Sequence, residues 1–216
     1  MNHSSADAVL LELHYLPCIA YFIHLKRFRK IILEVNENYT KQTYRNRSYI
    51  LTANKVQMLS IPVSKDGEKS KLKEIRIDYT QRWQNNHWRA IKSAYGKSPF
   101  FDFFADYFHD ILYSNYKFLV DMNLDLLTKC LELLSWHDKQ IEITNTYMEA
   151  TDSQCIDLRG EIDLKSRPPE DTEGGFKAYN QIFGKNFVPN LSVIDLLFCE
   201  GANANVILGQ SSLPHR

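Results

Sequence analysis

Glycine and proline are scarce in this 216-residue chain, 8 and 7 residues, which excludes collagen-like and Pro/Gly low-complexity architectures. Lys plus Arg equals Asp plus Glu at 26 each, so no global excess of charge points to nucleic acid or a membrane surface as partner. The four cysteines, Cys18, Cys130, Cys155 and Cys199, form no CxxC pair, and the opening Met1-Asn2-His3-Ser4-Ser5 has neither a basic region nor an apolar core of the secretory type. Reduced thiols and a cytoplasmic location are the expectation. No apolar stretch approaches the ~20 residues needed to span a bilayer. The phosphate-binding patterns GxxxxGK[ST] and GxGxxG are absent, as are GxSxG and HExxH.

What is present reads as a globular chain: 44% hydrophobic and 24% charged residues, with room for a sizeable core. Its charge is uneven, 17 Lys/Arg against 10 Asp/Glu over residues 1–108 and the reverse bias beyond them. A basic half can concentrate an anionic ligand, or the two halves can attract each other within one fold.

Ala8 to Tyr15 reads as a buried strand ending at Pro17, Cys18 to Leu25 as a helix with cations crowding its C-terminal end, and Ile31 to Val35 as a second strand. That β-α-β opening predicts an α/β fold with a central, mostly parallel sheet, whose ligand side lies at the strand C-termini. His14-Tyr15-Leu16-Pro17 falls at that position. Residues 47–52 and 56–63 suggest a hairpin, and Ile75, Ile77 and Tyr79 alternate as a further strand.

A helical middle section follows. The first helix runs from about Gln81 to Tyr95 and stops at Gly96, and a second opens with Ser98 as cap and Pro99 at its first position. Its aromatic stripe, including Phe100, Phe103, Phe104, Tyr107 and Phe108, is expected in the core. A third helix spans about Phe118 to Leu134, and Ile141–Thr144 is a strand candidate. Residues 153–175 are polar and expected as a loop or mobile segment. A last helix starts near Asn190 and Ser192. One mixed domain over 1–216 accommodates all of this.

Several residues could carry chemistry. His87, between Trp83 and Trp88, is a candidate general base; its competing reading is a hydrogen-bonded structural histidine. Arg45, Asn46 and Arg47, flanked by Tyr44 and Tyr49, could bind phosphate or carboxylate, or form an exposed basic turn. Asp102, Asp106, His109 and Asp110 share a helix face that could hold a divalent metal, against the plainer reading of a solvated helix back.

In order along the chain, Tyr15-Leu16-Pro17 with Tyr21, Tyr44, Asn46-Arg47, Ile61-Pro62-Val63, Trp83 with His87 and Trp88, Ala94-Tyr95 and Pro99-Phe100-Phe101 precede a longer block. That block is Tyr179-Asn180-Gln181-Ile182-Phe183 followed by Phe187 to Phe198. The ordered set resembles the WbqC-like family of bacterial surface-polysaccharide (O-antigen-type) gene clusters. The resemblance implies a place in surface-polysaccharide biosynthesis. Taken with the polar and aromatic residues at predicted strand ends and the basic first half, the chain is read here as an enzyme of glycan-precursor metabolism, a group or acyl transferase on an activated amino sugar. His87 and Asp195 are then the candidate catalytic residues, and Tyr15, Tyr44, Asn46, Arg47, Tyr95, Asn190 and Ser192 the candidate substrate contacts. Asn190, Ser192 and Asp195 have a second explanation as the start of a helix. The expected partner is a small molecule, a nucleotide sugar first among them; no cofactor and no metal is assigned, and the sequence leaves the oligomeric state open. The rival reading is a noncatalytic binding or scaffold protein of the same pathway.

Overall fold

The computed structural model describes residues 7–64, 70–149, 155–163 and 175–213. Apolar runs build strand β1 (Ala8–Glu12) and strand β2 (Lys30–Glu34), joined by helix α1 (Ile19–Lys26). The two strands pair in parallel, Ala8 opposite Lys30 through Glu12 opposite Glu34. Strand β5 (Gln140–Ile143) extends the sheet beside β2, and the two-residue β6 (Ile156–Asp157) extends it beside β1, both in parallel. The sheet order is β5-β2-β1-β6, so all four C-termini share one edge. Strand β3 (Arg47–Leu51) and β4 (Val56–Ser60) form the expected hairpin as a separate antiparallel pair. The fold is the expected α/β architecture.

Strand alternation divides the sheet. Val9, Leu11, Leu13, Ile31, Leu33 and Val35 enter the large core shared with the helices, while Ala8, Leu10 and Ile32 form a small cluster on the opposite face with Met148 and Cys155. With apolar residues called for on both faces, β1 reads as a continuous apolar run. On the helical side lie α2 (Trp83–Tyr95), α3 (Phe101–Tyr113), α4 (Leu119–Leu133), α5 (Val193–Glu200) and α6 (Ala204–Gln210). Helix α5 is buried from Val193 to Cys199 and touches α1, α2, α3, α4 and α6, which makes it the centre of the helical layer. Among the described residues no helix is long and apolar enough to cross a membrane.

Four local expectations change. The 75–79 segment forms no strand: after a 3-10 turn at Leu72–Glu74 it makes single bridges, Ile77 to Val63 and Arg76 to Phe118, alternating between two neighbours without a continuous ladder. Ser98 does not cap α3, because its hydroxyl donates back to the Tyr95 carbonyl at 2.6 Å and Phe100 precedes the first helical residue. The buried face of α3 is Phe101, Ala105, Phe108 and Leu112, whereas Phe103 is 71% exposed and Tyr107 half exposed. An aromatic-rich helix has more apolar residues than one 3.6-period face can bury. Within the polar 153–175 stretch, Ile156–Asp157 is strand β6; positions 153–154 and 164–174 lie outside the described residues.

Candidate functional site

The shared C-terminal edge of the sheet gathers ionisable side chains that the apolar strands carry into the interior. Glu12 ends β1 and Glu34 ends β2; they are register partners, and neighbours in register on parallel strands point to the same face. Asp157, opposite Leu10 on β6, joins them on that face. Two carboxylates buried side by side repel unless each is separately held. Glu34, fully buried, accepts from the Asn36 amide at 2.7 Å, the Thr144 hydroxyl at 2.8 Å and the Met148 amide at 2.9 Å. Glu12 accepts from the Gly160 amide at 3.1 and 3.2 Å. Burial pushes the Glu12 carboxyl up, but His14 and the Arg45 charge outweigh it and hold it at about 2.

Arg45 lies 3.8 Å from Glu12 and donates to both oxygens of Glu37 at 2.7 Å. Arg159 donates to both oxygens of Asp157, at 2.6–3.2 Å, and reaches Glu34 at 3.5 Å under the ring of Tyr147.

His14, 1% exposed, is sandwiched between Tyr21 and Tyr44, with ring centroids at 4.9 and 5.3 Å. Its Nε2 faces Glu12 at 3.6 Å, while its buried Nδ1 has no hydrogen-bond partner among the described residues. The same is true of the Tyr39 and Tyr44 hydroxyls, Asn36 Oδ1, Asn46 Oδ1 and Arg47 Nε. These atoms all belong to β3 or to the chain leaving β1 and β2. Buried polar atoms are normally satisfied, because each orphan costs about 1–3 kcal/mol. A set of them at the ligand edge of an α/β sheet is a site built to be completed.

The sequence-predicted residues fall into separate groups. Tyr44, Asn46 and Arg47 come to this edge with unpartnered atoms. Tyr15 and His87 form a pair of their own, the hydroxyl 2.9 Å from Nδ1. Burial pushes the Tyr15 phenol far up, so it keeps its proton. Burial also pulls His87 down to about 4, against a backbone hydrogen bond at Ser60 that favours charge. The neutral ring is thus partnered inside the fold, which leaves no free lone pair at Nδ1 for a substrate proton.

Tyr95 and Asp195 form another pair. Asp195, fully buried, accepts from Tyr95 at 2.9 Å, Tyr179 at 2.5 Å and Gln181 at 3.1 Å, and burial raises its pKa against those bonds. Asn190 Oδ1 accepts the Ala20 amide at 2.9 Å. Ser192 caps α5 and also donates to the Leu16 carbonyl at 3.0 Å. Among the described residues no group of three or more His, Cys, Asp or Glu is arranged to hold a metal ion; Asp102, Asp106 and His109 instead line a cleft of about 410 Å³ with Trp88 and Lys92.

Glu12 and Glu34 are the site residues that motif reading passes over, whereas Arg45 and His14 lie in stretches it singles out. The available signal was positional: LLELH and IILEV each end an apolar strand in a carboxylate, and the strand end that drew attention to Tyr15 also carries His14.

The profile of the WbqC-like protein family matches residues 13–165, which contain His14, Glu34, Arg45 and Asp157 of this edge, with Glu12 immediately before the match. The chain is 28% identical over 219 aligned positions to "Uncharacterized protein Rv1507c" of Mycobacterium tuberculosis, covering 90% of this chain and 94% of that one. No solved structure matches it. With the profile spanning well over half of its length, the chain belongs to the WbqC-like protein family.

Proposed function

We propose that this protein is a cytoplasmic enzyme of surface-polysaccharide precursor biosynthesis, working as a single domain, that transfers an acyl group to the amine of a nucleotide-activated amino sugar. One observation carries the catalytic part: His14 presents a buried, unpartnered Nδ1 while a carboxylate, Glu12, faces its other nitrogen. A carboxylate beside Nε2 favours the proton there and leaves the lone pair on Nδ1, the arrangement of an oriented general base. Arg47, with Asn46 and the Tyr39 and Tyr44 hydroxyls, supplies unpaired polar atoms for a phosphate or sugar hydroxyl. The general-base role considered for His87 passes to His14, and Tyr15, Tyr95, Asn190, Ser192 and Asp195 hold the site's framework. The buried thiols of Cys18, Cys130 and Cys199 support a reducing compartment.

In the proposed reaction the sugar ammonium first releases one proton to solvent, and the free amine then attacks the carbonyl carbon of an acyl thioester. The C–N bond forms, the C–S bond breaks, and the amine proton passes to His14 Nδ1 and then to the departing thiolate. Incubation with nucleotide-activated amino sugars and acyl thioesters, followed by mass spectrometry, is the direct test. The expected product is the N-acylated sugar nucleotide. His14→Ala should lower turnover by about 10²–10⁴-fold, the range of general-base contributions, with the thermal midpoint confirming a folded protein. Arg47→Ala should raise KM more than it lowers kcat. Ligand binding without product in any pairing would favour a noncatalytic binding protein, a reading consistent with the internal pairing of Glu34 and Arg45. Full activity of His14→Ala would remove the base assignment.

A further inference from the structure

Resting on the transferase reading above, we infer that Glu34 and Asp157 form a subsite for the ammonium group of the acceptor, which the Arg159 guanidinium occupies when no acceptor is bound. Glu12, Glu34 and Asp157 come from three adjacent parallel strands and share the sheet face away from the helices. Arg45, 3.8 Å from Glu12, is engaged by both oxygens of Glu37. Arg159 is therefore the group that neutralises the Glu34 and Asp157 side of the cluster.

Its fastening is local. Arg159 binds chiefly Asp157, two residues before it in the chain, and its reach to Glu34 is long at 3.5 Å. Glu34 keeps three other donors without it, so another cation can replace the guanidinium while the carboxylate stays held. Two unpartnered atoms beside the cluster also point to a ligand. Asn36 is 97% buried, since 3% is exposed, and its amide nitrogen is tied to Thr144, yet Oδ1 accepts nothing among the described residues. His14 is more deeply buried still, with Nε2 toward Glu12 and Nδ1 unpartnered. An ammonium group has three donors, which suit two carboxylates and a free carbonyl oxygen; a neutral amide has at most one N–H to give a site of this charge. Tyr147, stacked on Arg159, offers its face equally to an incoming cation.

The test is titration calorimetry with D-glucosamine, using N-acetyl-D-glucosamine and D-glucose as controls, on the wild type and on Arg159→Met. Glucosamine should bind the wild type in preference to both controls. Arg159→Met should bind it at least tenfold more tightly, because no internal cation competes, and Arg159→Lys should stay close to the wild type. Asp157→Asn should weaken binding. Equal affinity for the amine and its N-acetyl form, or no tightening in Arg159→Met with circular dichroism intact, would overturn the subsite. Should Arg159→Met not fold, a wild type that ignores the free amine overturns it equally. The two readings separate cleanly. Amine binding that depends on Arg159 without acyl transfer keeps the subsite and removes the transferase; transfer without amine preference does the reverse.

Discussion

At the scale of single residues, the Tyr15-Leu16-Pro17 turn shows how strain is held. Leu16 has φ 40°, a left-handed conformation that costs a non-glycine residue roughly 1–2 kcal/mol. Its carbonyl is fixed there by two hydroxyls, Ser48 at 2.8 Å and Ser192 at 3.0 Å. Ser192 also supplies the α5 cap, so one side chain secures both the turn beside His14 and the start of the central helix. Ser192→Ala should lower unfolding stability by about 1–2 kcal/mol, the range for a lost cap, read as a shifted urea midpoint at unchanged slope. An unaltered midpoint would show that neither bond matters. Serine as cap was legible from the short polar stretch before an apolar run. The Leu16 contact was not, since it joins positions 176 residues apart.

Elements make the same distinction between what is local and what is assembled. β1, α1, β2 and the hairpin were legible because each is declared by its own periodicity and ends. The 75–79 segment alternates like a strand, yet it meets two different neighbours and forms no ladder. The site lay beyond reading for a related reason: Glu12 and Glu34 become neighbours only through parallel register, and nothing in a spacing of 22 residues announces that. Helix α1 illustrates the point energetically. Its sequence offers cations at its own end, but the Lys139 amine closes it, donating to the carbonyls of Leu25, Lys26 and Phe28 at 2.9, 3.1 and 2.5 Å. Those bonds tie the start of β5 to the end of the first crossover. Lys139→Met should cost about 1–2 kcal/mol, a charge-assisted set discounted for an amine partly open to solvent. Amide exchange should accelerate in the last turn of α1 and at Phe28, and acceleration spread evenly over all helices would contradict this local role.

The terminal block works on α5 in the same way. Gln181 exchanges two hydrogen bonds with the Val188 backbone and sends a third to Asp195, while Tyr179 reaches the same carboxylate. Asp195 thereby fastens the 179–188 segment and Tyr95 of α2 to the central helix. Asp195→Ala removes the acceptor of the buried Tyr95 hydroxyl and of the half-buried Tyr179 hydroxyl, and frees Gln181 from the helix, and should cost about 2–4 kcal/mol. A loss below about 1 kcal/mol would show that the carboxylate is not serving as this anchor.

Across the whole molecule, buried titratable groups make stability depend on pH, and the signs can be worked out group by group. His87 is held neutral inside, at about 4 against an ordinary 6.5. The unfolded chain therefore binds more protons between those values, and stability falls as pH drops from 6.5 toward 4. One group shifted this far contributes at most about 3 kcal/mol. Glu12, held at about 2 against 4.5, adds a second loss as pH falls through that lower window. Asp195 acts oppositely, since its raised pKa favours the folded state on acidification and offsets part of both. Urea unfolding from pH 8 to 4 should show a plateau above 6.5 and then a decline approaching one proton per pH unit. His87→Gln replaces the titrating ring with a neutral amide and should lower the plateau through the lost Tyr15 contact, yet extend it down to about pH 4.5, where Glu12 takes over. A decline between 6.5 and 4.5 that survives in His87→Gln would remove the assignment to His87 and place the titrating group elsewhere.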